Sequence, residues 1–244
     1  CGGYDMEIVL VDEVDGRMSI IDLKNKLSDK VCGLYVEQIN KYGLIEDVKS
    51  YHEILDENIH LIMGFNPLAS MILPSGKEVG ADIVVGEGQP LGVPLSYGGP
   101  YLGIMACTDQ MMRRLPGRIV GMTTDRNGND GYVLTLQARE QHIRRNKASS
   151  SICSNQSLMA LRAQIYTAAM GQQGLLEAAH MNVANSHYLA NRFSELKGFS
   201  LKYDDQFFNE FVIKSECSTK EILDTLHKND ILGGYPIDEH HLLW

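Results

Sequence analysis

Apolar positions along the chain fall into short runs separated by polar, amphipathic stretches. Met6–Val11 (MEIVLV) is an apolar run closed by Asp12 and predicts a strand. Ser19, with Asp22 three positions on, is placed to cap an amphipathic helix reaching about Asp29. Val31–Val36 reads as a strand, Leu44–Glu57 as a helix, Ile59–Phe65 as a strand and Ala81–Val85 as a further buried strand. Strands alternating with helices through short connections predict a mostly parallel sheet covered by helices.

Beyond Val85 the pattern changes. Gly86, Gly88, Gly92, Gly98, Gly99 and Gly103, interleaved with Pro90, Pro94 and Pro100, forbid a regular helix and predict a loop with close backbone approaches. A strand resumes at Leu102–Thr108, and Asp125–Gly131 (DRNGNDG) reads as the turn of a hairpin between Arg118–Thr124 and Tyr132–Leu136. A helix is predicted from Ser154, capped by Ser154 or Asn155, to Met170, where Gly171 stops it. A second helix spans Leu175–Leu196, with Leu176, Ala179, Val183, Ala190 and Phe193 on one stripe. The tail then reads strand, strand, helix: Phe199–Tyr203, Glu210–Lys214 and Thr219–Lys228. This divides the chain into residues 1–184, the C-terminal portion of a large α/β domain with its connecting helix, and 185–244, a small α+β domain.

Composition supports a globular protein: 244 residues, 44% hydrophobic and 22% charged. A net charge of −9 argues against a nucleic-acid-binding domain. No stretch has the length of a membrane span. Cys1, Cys32, Cys107, Cys153 and Cys217 are scattered without a C-x-x-C pair, which suggests neither a zinc site nor a disulfide framework and fits a reducing cytoplasm. The start at Cys1 and the end within the apolar run Leu242-Leu243-Trp244 suggest a piece of a longer protein.

Familiar catalytic motifs fail on spacing. Gly86-Glu87-Gly88-Gln89-Pro90-Leu91-Gly92 is not the dinucleotide fingerprint, since a proline stands where a helix should start. Ser75-Gly76-Lys77-Glu78 lacks the first glycine and the hydroxyl of a phosphate-binding loop. No G-x-S-x-G elbow exists. His240-His241 behind Asp238-Glu239 reads as a turn or strand entry rather than a metal patch, because adjacent strand residues face opposite ways. More informative is the basic stretch Arg113, Arg114, Arg118, Arg126, Arg139, Arg144, Arg145 and Lys147, which runs into Ala148-Ser149-Ser150-Ser151 and a predicted helix start. Hydroxyls, backbone N–H groups and cationic side chains there could bind an anion, or the arginines could pair with acids of another segment or subunit.

Several long motifs carry a resemblance. Gly80-Ala81-Asp82-Ile83-Val84-Val85-Gly86-Glu87-Gly88-Gln89-Pro90-Leu91-Gly92, Tyr97-Gly98-Gly99-Pro100, Leu115-Pro116-Gly117-Arg118-Ile119-Val120-Gly121 and Leu136-Gln137-Ala138-Arg139-Glu140-Gln141-His142-Ile143-Arg144-Arg145 resemble the P-protein of the glycine cleavage system. Within that family the chain is most similar to subunit 1, the non-catalytic half of the split enzyme. The resemblance implies the α/β fold of fold type I pyridoxal-phosphate enzymes, which is aspartate-aminotransferase-like. It implies a heterotetramer of two copies each of subunits 1 and 2, which decarboxylates glycine and passes the aminomethyl group to the lipoyl arm of the H-protein.

In such enzymes a lysine after the strand equivalent to Ala81–Val85 holds the cofactor. This chain has Gln89 and Pro90 at the matching place, and no lysine between Lys77 and Lys147. Asn66 stands where an acid would pair with the pyridine nitrogen, and it cannot carry the negative charge. The resemblance therefore implies pyridoxal phosphate held by the partner subunit and none bound covalently here. It also implies that Ser149, Ser150 and Ser151, supported by Arg144, Arg145 and Lys147, reach the cofactor phosphate across the subunit interface. Asn146, Ser149 and Ser151 replace the usual Glu, Thr and Asn of that run. Two other readings of the residues are a self-sufficient pyridoxal-phosphate enzyme using Lys147 or Lys77, and an anion-binding regulatory module built on the basic stretch.

Overall fold

Strand-forming runs with period-two burial build the centre of the molecule. In the computed structural model, which describes residues 5–115, 119–135, 146 and 156–244, the runs at 33–37, 60–65, 83–87 and 103–107 become β3 (Gly33–Glu37), β4 (His60–Phe65), β5 (Ile83–Glu87) and β6 (Gly103–Cys107). They form one sheet in the order β3-β4-β5-β6. β3, β4 and β5 run parallel, with Leu34 opposite Leu61 and Met63 opposite Val84; β6 returns antiparallel on β5. Leu34, Val36, Leu61 and Met63 point to one face and are buried, as alternation requires. Over that face pack Leu23 of α1 (Ile20–Lys26) and Val48 and Tyr51 of α2 (Val48–His52). Burying a side chain such as Leu61 completely contributes about 1.5–3 kcal/mol.

Ser19 caps α1 as expected, its Oγ accepting from the Asp22 N–H at 3.2 Å. Two expectations are corrected. Residues 6–11 form no strand: Met6, Ile8, Val9 and Leu10 are exposed, and the first paired residues are the short hairpin β1 (Glu13–Val14) and β2 (Arg17–Met18). An apolar run becomes a strand only when its backbone pairs along another strand, and this run does not do so among the described residues. The helix expected over 44–57 is reduced to α2, because Leu44 and Ile45 are taken up in bridges to Phe207 and Ile39. Asp47 then starts the helix, accepting from the Ser50 N–H.

A hairpin, β7 (Ile119–Thr124) with β8 (Asp130–Thr135), follows β6. Its turn is closed by Asp125, whose carboxylate accepts from the Asn127 and Asn129 N–H groups at 2.7 and 2.9 Å. The two helices expected around Gly171 are α3 (Ser157–Ser194), broken where Gly171 takes φ 63° and ψ 179°. Ser154 and Asn155, the expected caps, lie outside the described residues.

After α3 come β9 (Phe199–Leu201), β10 (Val212–Ser215), α4 (Thr219–His227), β11 (Tyr235–Pro236) and β12 (His241–Leu243). The strands form an antiparallel sheet ordered β11-β12-β10-β9. A second core gathers here around Phe207, Phe211, Val212, Ile213 and Leu242, with Ala190 from α3 and with Tyr42 and Leu44 from the segment after β3. His187 stacks on Phe207 at 4.0 Å between ring centroids and contacts its carbonyl oxygen at 3.1 Å. Arg17 of β2 pairs with Asp205 at 2.6 Å.

Candidate functional site

In an open sheet with parallel strands, ligands gather beyond the strands' carboxyl ends. Here that edge carries Glu37 at the end of β3 with Gln38 after it, Asn66 after β4, and the glycine-rich loop after β5. Asn66 is committed locally. Its Oδ1 accepts from the Leu68 and Ala69 N–H groups at 2.9 and 3.3 Å, starting the 3-10 turn Ala69–Met71. That is asparagine's usual turn chemistry.

The loop closes on itself through Glu87. One carboxylate oxygen accepts from the Leu102 N–H at 2.8 Å and the Gln89 N–H at 3.1 Å, while the Gly88 N–H donates to the Leu102 carbonyl at 2.6 Å. Gln89 Nε2 donates to the Val93 carbonyl at 2.8 Å. Gly92, at φ +77°, lies against α3: a Cβ there would come within 2.7 Å of the Tyr166 ring, and the Gly92 carbonyl accepts from Arg162 Nε at 2.8 Å. Arg162 and Tyr166, one helical turn apart, thus clamp the loop. Pro90 is part of this closed loop, and the side chains that secure it, Glu87 and Gln89, have no amine.

Sequence reasoning missed both clamp residues, since the contact spans 70 positions of chain. It also missed a pair on the open sheet face. Tyr35 and Glu37 are two apart on β3, and the Tyr35 hydroxyl donates to the Glu37 carboxylate. Burial, then the hydrogen bond to Glu37 and its charge, push the Tyr35 phenol up to about 12. Their i, i+2 spacing in a strand was the available signal.

On the same edge, a cavity of about 500 Å3 is lined by Arg17, Gln38, Glu46 and Gln206 among others. Glu46 is buried and engaged, accepting from Asn40 Nδ2 at 2.7 Å and the Tyr51 hydroxyl at 2.5 Å. Burial and that bond raise the Tyr51 phenol far above its ordinary range.

The expected anion-binding residues Arg144, Arg145, Lys147, Ser149, Ser150 and Ser151 lie outside the described residues. Of the other basic positions, Arg113 and Arg114 sit in an exposed 3-10 turn and Arg126 in the hairpin turn. Lys77 lies in the turn before β5, not in the loop after it. His240 and His241 enter β12, where the His240 N–H and His241 Nδ1 contact Asp238 at 2.9 and 2.8 Å. Among the described residues no group of His, Cys, Asp or Glu could hold a metal, and no helix is long and apolar enough to cross a membrane. Cys32, Cys107 and Cys217 are free thiols.

The sequence pattern of the glycine cleavage system P-protein matches residues 1–243. The chain belongs to the glycine cleavage system P-protein family. A protein of Listeria monocytogenes serotype 4a (strain HCC23), named probable glycine dehydrogenase (decarboxylating) subunit 1, is 45% identical over 99% of this chain and 55% of its own length. A protein of the same name from Desulfitobacterium hafniense is 44% identical over 98% of this chain and 55% of its own length. The chain thus spans about half the length of these curated relatives.

Within the family, the crystal structure of a glycine decarboxylase (P-protein) in inhibitor-bound form superposes with a TM-score of 0.90 at 32% identity, over 99% of this chain and 56% of that one. A sphingosine-1-phosphate lyase from Burkholderia pseudomallei superposes at 0.63 over 96% of this chain and 51% of that one. At 13% identity the latter likeness concerns the fold alone. The α/β, fold type I class expected from the sequence is the one these chains share.

Proposed function

We propose that this chain is part of the non-catalytic subunit 1 of a glycine dehydrogenase (decarboxylating). With a subunit 2 the whole enzyme decarboxylates glycine and transfers the aminomethyl group to the lipoyl arm of an H-protein. The observation that carries the reading is the loop after β5. By the resemblance, this loop corresponds to the one in which the family's catalytic half holds its cofactor lysine, and it carries Gln89 and Pro90 there, in a chain with no lysine from 78 to 146. Asn66, turned onto backbone N–H groups, is a poor partner for a protonated pyridine nitrogen. These residues do not fit covalent attachment of pyridoxal phosphate, so the cofactor belongs to subunit 2.

In this reading two copies of each subunit assemble in the cytoplasm. Ser149, Ser150 and Ser151, with Arg144, Arg145 and Lys147, supply hydrogen bonds and charge to the cofactor phosphate across the interface. Residues 185–244 act as the small domain attached to the large α/β portion, 1–184.

The test mixes the full-length form of this chain with subunit 2 and measures exchange of CO2 with the carboxyl of glycine. Exchange should require both chains, and Arg144→Gln with Arg145→Gln should weaken cofactor retention by subunit 2. Equal exchange with and without this chain would overturn the proposal.

A further inference from the structure

The cavity of about 500 Å3 lies where the two cores of the molecule meet. Val48 and Val79, which border it, belong to the core over the parallel sheet, and Gln206, which also borders it, directly precedes Phe207 of the second core. Junctions between packed units are favoured places for small-molecule sites. The glycine-rich loop after β5 and Asn66 take no part in this wall.

Several polar groups of the lining residues are left unused by the chain. Arg17 pairs through a terminal nitrogen with Asp205 at 2.6 Å, while its Nε is buried with no hydrogen-bond partner among the described residues. Gln38, only 2% exposed, donates through Nε2 to the Pro74 carbonyl at 2.7 Å, and its Oε1 is likewise without a partner. Buried polar atoms are nearly always hydrogen-bonded, so two orphans on residues lining one cavity need a common explanation. The exposed Lys49, on the same wall, makes no ion pair or side-chain hydrogen bond among the described residues. The acids of the wall are in the opposite condition. Glu46 accepts from Asn40 Nδ2, the Met18 N–H and the Tyr51 hydroxyl. Asp47 accepts from the Ser50 N–H and hydroxyl, and Glu78 from those of Ser75.

We infer that this cavity binds a small carboxylic acid that also carries a hydrogen-bond donor, either an amino acid or a hydroxy acid. Arginine and lysine only donate, so Arg17 Nε and Lys49 Nζ require an acceptor, and a carboxylate supplies the strong, charge-assisted form. Gln38 Oε1 only accepts, and it takes the ligand's ammonium or hydroxyl. Gln38 turns to it about its terminal torsion, which is soft in glutamine. Since Glu46, Asp47 and Glu78 are already held by donors of their own chain, the wall offers little to a ligand that is only a cation. A ligand spanning Arg17, Lys49 and Gln206 ties the β1–β2 hairpin and α2 to the second core, so its binding stabilises the junction. The inference does not depend on the assignment to a subunit or on where the cofactor is held.

The test uses the full-length form of this chain without subunit 2 and titrates it with L-serine, glycolate, acetate and ethanolamine, reading calorimetric heat and the melting temperature. L-serine or glycolate should bind saturably and raise the melting temperature, and whichever does so assigns the donor as ammonium or hydroxyl. Acetate, which lacks the donor, should bind at least about tenfold more weakly, and ethanolamine, which lacks the carboxylate, should not bind. Lys49→Gln should weaken binding about tenfold and leave the melting temperature of the unliganded chain unchanged. Arg17→Lys keeps a charge beside Asp205 but removes Nε, and should weaken binding similarly. No binding of L-serine or glycolate at about 10 mM would overturn the inference, including the case in which the rest of the full-length chain covers the cavity. Acetate binding as tightly as either, or Lys49→Gln binding as tightly as wild type, would overturn it too.

Discussion

Replacing Gly92 by alanine tests how the candidate loop is held. Two penalties act together. An alanine at φ +77° carries about 1–2 kcal/mol of left-handed backbone strain. Its Cβ, 2.7 Å from the Tyr166 ring, also forces a shift of the kind that costs about 1–3 kcal/mol in packed regions. The lower entropy of the unfolded alanine chain offsets about 0.4–1 kcal/mol. The net expectation is a loss of roughly 2–4 kcal/mol, read in urea as a lower midpoint with an unchanged slope. Gly128→Ala separates the two effects. Gly128 has φ +83° in the hairpin turn and its Cβ would meet nothing within 4 Å among the described residues, so it should lose only the backbone share less the same entropy offset, a net loss of roughly 0–1.6 kcal/mol. A double-mutant cycle between Gly92→Ala and Tyr166→Ala should return a coupling of about 1–3 kcal/mol, the crowding share. A Gly92→Ala variant within about 0.5 kcal/mol of wild type, or a cycle with no coupling, would refute the clamp.

Leu61→Ala, at a fully buried position of β4, should cost about 2–5 kcal/mol in the same unfolding assay, because the sheet cannot collapse into the cavity. Ser218→Ala removes the Oγ that accepts from the Glu221 N–H at 3.2 Å and should cost about 1 kcal/mol, whereas Ser218→Asp should retain most of it. Tyr35 should show its phenolate absorbance near 12 rather than near 10, and Glu37→Gln should bring it down. Since the folded phenol holds its proton more tightly than the unfolded one, stability present below pH 10 should fall as pH rises from 10 towards 12. Tyr35→Phe should flatten that decline; an unchanged pH profile would contradict the assignment.

Much of the fold was legible because it rests on local rules. The Ser19 cap, the break at Gly171 and the alternating burial of Leu34, Val36, Leu61 and Met63 need only the chain's own spacing. The site was legible in part. The missing lysine and the glycine-rich loop are facts of composition, while the clamp on that loop is not. Residues 6–11 satisfied the strand pattern but pair with no strand among the described residues, and Leu44 and Ile45 satisfied the helix pattern but were claimed by Phe207 and Ile39.

Residue order alone determined the family, the class of fold and the absence of a lysine from the loop after β5, because each follows from which residues stand at which spacing. Only the folded chain decided what that loop does instead. Glu87 turns back to Leu102, Arg162 and Tyr166 arrive from 70 or more positions away, and Tyr97 is left facing solvent. The physical reason is range: capping and alternation act over a few residues, whereas a contact between distant segments exists only once the core has brought them together.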